Sequence, residues 1–165
     1  MNDAHLHMVV NHFPIIGVIF GTGILVVGIV LKNKSVQNTA FIVLAIAAIF
    51  GFASMATGEG AEEIVEDLPS VGDQIIHTHE ELAEKFAIFL YATGLLALIS
   101  LFLNIKNNTK VKFLIYATLG ASILTCLFAQ SVGTSGGEIR HTEIRTVNNQ
   151  ASTNLNSEQE HEEED

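Results

Sequence analysis

Hydrophobic and polar positions along this chain separate into long blocks instead of alternating at strand or helix period. Four blocks are apolar all round: Phe13–Leu31, Thr39–Thr57, Phe86–Leu103 and Val111–Gln130. Each holds roughly 18–20 residues, and at 1.5 Å per residue such a helix covers the roughly 30 Å hydrocarbon core of a bilayer. A soluble bundle would carry a polar stripe on every helix, and none is present. The pattern therefore predicts four transmembrane helices. The connectors "KNKSVQN" and "NIKNNTK" are short, so the helices they join run antiparallel. The expected fold class is all-α: an integral membrane, up-down four-helix bundle over residues 1–145.

Three stretches outside the spans carry their own signals. "GEGAEEIVEDLPSVGDQ" predicts a short acidic helix stopped near Pro69 and Gly72. Asp73 is then placed to N-cap a helix running through "QIIHTHEELAEK" into the third span. After the fourth span, "GTSGGEIRHTE" offers Gly136 and Gly137 for a tight reversal that returns Glu138 and His141 toward the bundle. Residues 146–165, ending "NSEQEHEEED", lack apolar periodicity and are expected to form a disordered acidic tail. Within the first span, Gly17 and Gly21, with Gly28 beyond, are small residues at a spacing that lets helices approach closely.

Composition agrees with the pattern. The chain is 48% hydrophobic and 16% charged, with the charges outside the apolar blocks. A charge at the bilayer centre costs about 2.5–3.5 kcal/mol, which accounts for the separation. Lys32, Lys34, Lys106, Lys110 and Lys112 all fall at one end of the bundle, which the positive-inside rule makes cytoplasmic. The 18 acidic residues and seven histidines fall at the other end or in its tails. The expected location is a bacterial cytoplasmic membrane, multi-pass, with both termini outside and the lipid bilayer as first partner. Nothing basic precedes Lys32, so the first span reads as retained and not as a cleaved signal. A single cysteine, Cys126, rules out an intramolecular disulfide. No carboxylate, histidine or arginine sits near the midplane, which counts against a proton-coupled transporter. No nucleophile–base pair, phosphate-binding glycine loop or basic nucleic-acid patch is visible, and no nucleic-acid partner is expected.

The remaining chemistry lies in histidine. "HLHMVVNHFP", His5 to Pro14, places His5, His7 and His12 directly against the first span. His77 and His79 stand at a similar height before the third span. Glu59, Glu62 and Glu63 leave the second, and Glu138 and His141 follow the fourth. All four helices thus deliver imidazoles or carboxylates to one layer. His5, Met8 and His12 share a helix face, and His79 lines up with Ala83, Phe86 and Leu90 on the apolar stripe. His77 shares its face with Glu80, Glu81 and Glu84. This ranks His12 and His79 first, pointing inward from facing helices, and leaves His5 and His7 in water. Two chemistries fit. Paired imidazoles hold a haem b iron from both sides, with His12, His79, His77 and His141 as the candidates. Alternatively, a transition metal ion takes mixed imidazole and carboxylate ligands, adding His5, His7, Glu59 and Glu138; Glu138-Ile-Arg-His141 is the Glu-x-x-His unit of di-metal bundles. The simpler alternative is a set of interfacial histidines bonded to headgroups.

These residues also carry a resemblance. The chain resembles a family of small, uncharacterised four-span bacterial membrane proteins, a domain of unknown function, over roughly residues 4–145. The matching features are the His-Phe-Pro box (His12-Phe13-Pro14), a histidine leading into the third span (His77 or His79), and Gly-Gly followed by histidine (Gly136, Gly137, His141). The resemblance implies a four-span bundle and a redox or haem context, with no established activity to carry over. The leading expectation is a haem- or metal-binding redox or electron-transfer component on the outer face, working with other membrane redox proteins. The alternatives are a transition-metal binding or sensing module, and a structural subunit of a larger membrane complex without a cofactor. Whether the protein is an enzyme stays open.

The lysine asymmetry makes a direct prediction. Reporter fusions at Lys34 and Asn107 should read as cytoplasmic and one after Thr146 as external. A cytoplasmic C-terminal reporter would overturn the placement of the histidine layer.

Overall fold

A computed structural model of the chain describes residues 2–66, 71–141 and 145. Among these residues the fold is all-helical, with α1 (Asp3–Val10), α2 (His12–Val30), α3 (Lys34–Glu66), α4 (Asp73–Ile105) and α5 (Val111–Arg140). Helices consecutive in the chain pack on one another, α2 against α5 closes the ring, and α1 lies on α3. Four stretches are long and apolar enough to cross a membrane: Asp3–Val30, Lys34–Glu66, Asp73–Ile105 and Val111–Ile139. They are compatible with a multi-pass membrane protein. Their outer surface is apolar, and Phe20, Ile49, Ile88, Phe113 and Leu127 are each more than half exposed.

The helices outrun the predicted spans. At 33 residues each, α3 and α4 are about 50 Å long, well beyond a roughly 30 Å hydrocarbon core. Two expected interruptions are absent. The acidic stretch after Gly58 is the uninterrupted continuation of α3 to Glu66, not a separate helix. α5 likewise continues through Gly136 and Gly137 to Arg140, so the expected reversal does not occur there. Within these stretches Gly60 and Gly136 each have a neighbouring side chain closely packed against them. α4 runs unbroken into its apolar part, but its N-cap is Gly72, with Asp73 the first helical residue. Pro69 and the acidic tail lie outside the described residues.

Close approach comes from small residues. A Cβ built on Gly17 would lie 2.8 Å from Ala47 Cβ, and one on Gly94 only 2.5 Å from Ala48 Cβ. Gly28 abuts Gln37, 2.8 Å from its backbone nitrogen. The α2–α3 and α3–α4 seams therefore run backbone against side chain with no spare space. The α4–α5 seam uses hydroxyls instead. Thr93 and Thr125 bond at 2.9 Å and Ser100 and Thr118 at 2.8 Å, all buried. Each hydroxyl on such a seam finds its partner across the helix pair, which removes the cost of burying it.

At the lysine end the two connectors are tied together. Lys34 Nζ donates to Asn107 Oδ1 across the loops. Below it, Asn104 Nδ2 donates to Asn38 Oδ1 at 2.8 Å, and Gln37 Nε2 donates to the Gly28 carbonyl at 3.0 Å. The reversals themselves use Lys32 (φ 50°) and Asn107 (φ 53°) in the left-handed region that ends many helices.

The packing is testable at two glycines. Gly94→Ala should destabilise the detergent-solubilised bundle by about 1–3 kcal/mol, because Ala48 has no room to yield. Gly120 meets nothing within 4 Å, and Gly120→Ala should be neutral or gain up to about 1 kcal/mol of helix propensity. Reversible unfolding in mixed SDS micelles reads both, and equal effects would refute close packing at Gly94.

Candidate functional site at the histidine end

The site begins with a break. Pro14 has no N–H to offer the Val10 carbonyl, and the first helix is interrupted at Asn11 accordingly. The winding survives the break, since Asn11 keeps φ −65° and ψ −20° and its N–H donates to the His7 carbonyl at 2.9 Å. α1 packs along the extension of α3. Its seat is Gly58-Glu59-Gly60. A Cβ on Gly60 would come within 3.0 Å of the Asp3 side chain, and one on Gly58 within 3.8 Å of the His7 ring. Gly60 is thus a position where a second helix lies close, while Gly58 leaves the His7 ring at ordinary contact distance.

His7 docks on that seat. Its Nδ1 lies 3.1 Å from both the Ser54 carbonyl oxygen and Thr57 Oγ1. A carbonyl only accepts, and the Thr57 hydroxyl already donates to α3 carbonyls, so Nδ1 carries the proton. His79 repeats the arrangement on the other side of the bundle end. Its Nδ1 lies 2.9 Å from Ser135 Oγ, which itself donates to the Val132 carbonyl. A Cβ on Gly136 would lie 3.1 Å from His79 Cε1, so this glycine seats the ring inside a continuous helix instead of turning the chain. In both residues the Nδ1–H is consumed and Nε2 keeps its lone pair.

Both imidazoles are partly buried and lie outside the apolar spans. Burial pushes the His7 pKa down, against the Ser54 carbonyl, which raises it. Burial also pushes His79 down, and the charge His7 would carry adds to that lowering. Glu62, on α3, is shifted upward, first by desolvation and then by Glu80, Glu66 and Glu59. The mouth of this end is acidic. Behind the His79 wall, α4 and α5 leave an open groove of about 450 Å³ whose lining includes Thr78, Gln130, Thr134 and Glu138.

The other candidate residues stand apart from this pair. His12 was expected to point inward and His7 to stand in water; the reverse is found. His12 is exposed, its Nδ1 2.7 Å from the Met8 carbonyl, because the packed face runs at helical spacing through His7, Asn11, Pro14 and Val18 and leaves His12 on the opposite side. His5, Met8 and His12 do share one face, and it is the exposed one. His77 is exposed and pairs with Glu80 at 3.6 Å and Glu81 at 3.4 Å. Glu59 is exposed. His141 is the exposed C-cap of α5, its N–H bonded to the Gly137 carbonyl, and is not returned to the bundle. The Glu138 and Ile139 carbonyls are capped instead by the Arg145 guanidinium. Among the described residues, no three His, Cys, Asp or Glu side chains gather into a metal-binding group.

Ser54, Thr57, Ser135 and Asn11 were not foreseen as site residues. Asn11 Oδ1 is buried without a hydrogen-bond partner. Such an orphaned acceptor costs about 1–3 kcal/mol. No family model, curated protein or solved structure matches this chain.

The docking of His7 yields a prediction. His7→Ala should loosen α1 from α3, raising hydrogen exchange over residues 3–10 by the equivalent of about 1–2 kcal/mol. His12→Ala should leave that protection unchanged. Equal loss in both variants would refute the assignment of His7 as the buried member.

Proposed function

We propose that this is an integral protein of the bacterial cytoplasmic membrane that binds a haem iron or a transition metal ion at its outer end, as a redox or electron-transfer component. The observation that carries the reading is the pair His7 and His79: two partly buried imidazoles on different helices, each with Nδ1–H held by a protein acceptor. Ligating histidines are oriented in this way, with the far nitrogen fixed by a carbonyl or hydroxyl and the near one left basic. Burial keeps both rings neutral near pH 7, the form that ligates. The lysines at the opposite end support an outward-facing site, and the exposed apolar surface supports lipid as its surroundings. Haem needs only two such nitrogens and an apolar slot; a metal ion needs further donors. The chemistry either group supplies when bound is electron transfer, and what this chain supplies is orientation of the two imidazoles and partial exclusion of water. His5, His12, His77 and Glu59, all on exposed faces, take no part in it. The resemblance to four-span proteins with a His-Phe-Pro box is in keeping with this reading.

The test is the cofactor content of the full chain purified from membranes after growth with ample haem and metals. Haem or metal bound in the wild type and lost in His7→Ala and His79→Ala, but kept in His12→Ala, is the expected outcome. Loss in His12→Ala alone, or no bound group in the wild type, would overturn the proposal.

A further inference from the structure

The orphaned acceptor at Asn11 narrows what the histidine site takes. Asn11 follows His7 by four residues, and the helical winding persists between them through the Asn11 N–H to His7 carbonyl bond. The two side chains therefore share a face, with Cβ atoms roughly 5–6 Å apart. That face is the one His7 presents to Ser54 and Thr57 on α3. Asn11 thus lies one turn below His7 on the bundle side, and its Oδ1 is buried with nothing to accept from. A protein leaves a buried amide oxygen unpaired at a cost, and a cation bound there would remove it. Carboxylates at the mouth, with Glu62 among Glu59, Glu66 and Glu80, give that end a negative potential that favours a cation.

We propose that Asn11 Oδ1 is the third donor of the site, which with His7 Nε2 and His79 Nε2 takes a divalent transition metal ion in preference to haem. The proposal rests on the histidine reading above and deepens it. A set of two imidazole nitrogens and one neutral amide oxygen suits a borderline ion such as zinc or copper. Haem iron fills four positions with porphyrin nitrogens and both axial ones with imidazole, which leaves no place for an amide oxygen. Persistent helical winding, with Asn11 on the face shared by His7, Pro14 and Val18, brings its side chain into the protein.

The experiment is zinc titration of the full-length, detergent-solubilised chain, with the His7→Ala/His79→Ala double variant as the baseline for zinc held elsewhere, including the acidic tail. Asn11→Leu should weaken the histidine-dependent site about tenfold or more, and Asn11→Asp, which supplies a charged oxygen in the same shape, should tighten it by a similar factor. Cobalt as a spectroscopic substitute should show a d–d spectrum in the wild type that changes in both Asn11 variants. Should Asn11→Leu fail to fold, the near-isosteric Asp variant decides alone. Histidine-dependent zinc binding that is the same in wild type and Asn11→Asp would overturn the third-donor assignment and leave the histidine reading standing. So would a bis-imidazole haem in the purified protein. Zinc binding unaltered in the double histidine variant would overturn both.

Discussion

The fold depends on backbone approach. For helices long and apolar enough to cross a membrane, apolar side chains would gain little by leaving lipid for one another, so association rests on small residues that let helices come close and on polar groups that meet across the seam. Gly17 against Ala47, Gly28 against Gln37 and Gly94 against Ala48 supply the first. The Thr93–Thr125 and Ser100–Thr118 pairs supply the second. Every other feature of the molecule is hung from these seams. They fix which face of each helix is inside, and hence which residues on the extensions beyond the apolar core are carried to the bundle axis.

The extensions obey the same rule, and there it creates the site. α3 continues through Gly60 with α1 packed closely over it, and α5 continues through Gly136 with the His79 ring over it. A glycine in a helix interior costs about 1 kcal/mol against alanine. Here Gly60 is matched to Asp3 of α1 and Gly136 to the His79 imidazole. α1 packs along α3, and helical spacing separates the fates of three histidines within eight residues: His5 and His12 outward, His7 inward on the face that continues through Asn11, Pro14 and Val18.

The bundle was legible in the sequence because hydropathy integrates over about 20 residues and tolerates local error. The four helices, the short connectors and the role of Gly17, Gly21 and Gly28 in packing follow from residue types alone. His79 and His77 were assigned to their faces correctly because α4 is regular from Asp73 onward, so periodicity holds across the whole element. At the first helix periodicity also holds, with His7, Asn11, Pro14, Val18 and Gly21 on one face and His5, Met8 and His12 on the other, but a span that is apolar all round gives no contrast to mark which face is inner. The glycine pairs misled for a related reason. Gly58, Gly60, Gly136 and Gly137 have the same propensity whether they end a helix or accommodate a neighbour, and only the neighbour tells which.

What remains is why the costs fall where they do. The lysine end pairs Lys34 with Asn107 and Asn104 Nδ2 with Asn38, and leaves Asn104 Oδ1 buried without a partner; the seams pair their hydroxyls. The histidine end carries more such terms. It holds helical glycines, two partly buried imidazoles whose pKa values burial pushes down, an interrupted helix and a buried Asn11 oxygen without a partner. Local sequence and global fold agree along most of the chain and disagree here. At His79 the two are reconciled by Gly136, since a Cβ there would lie 3.1 Å from the ring. Departures from local consistency in proteins tend to fall at functional sites, and that is the support these terms lend to the histidine reading proposed above.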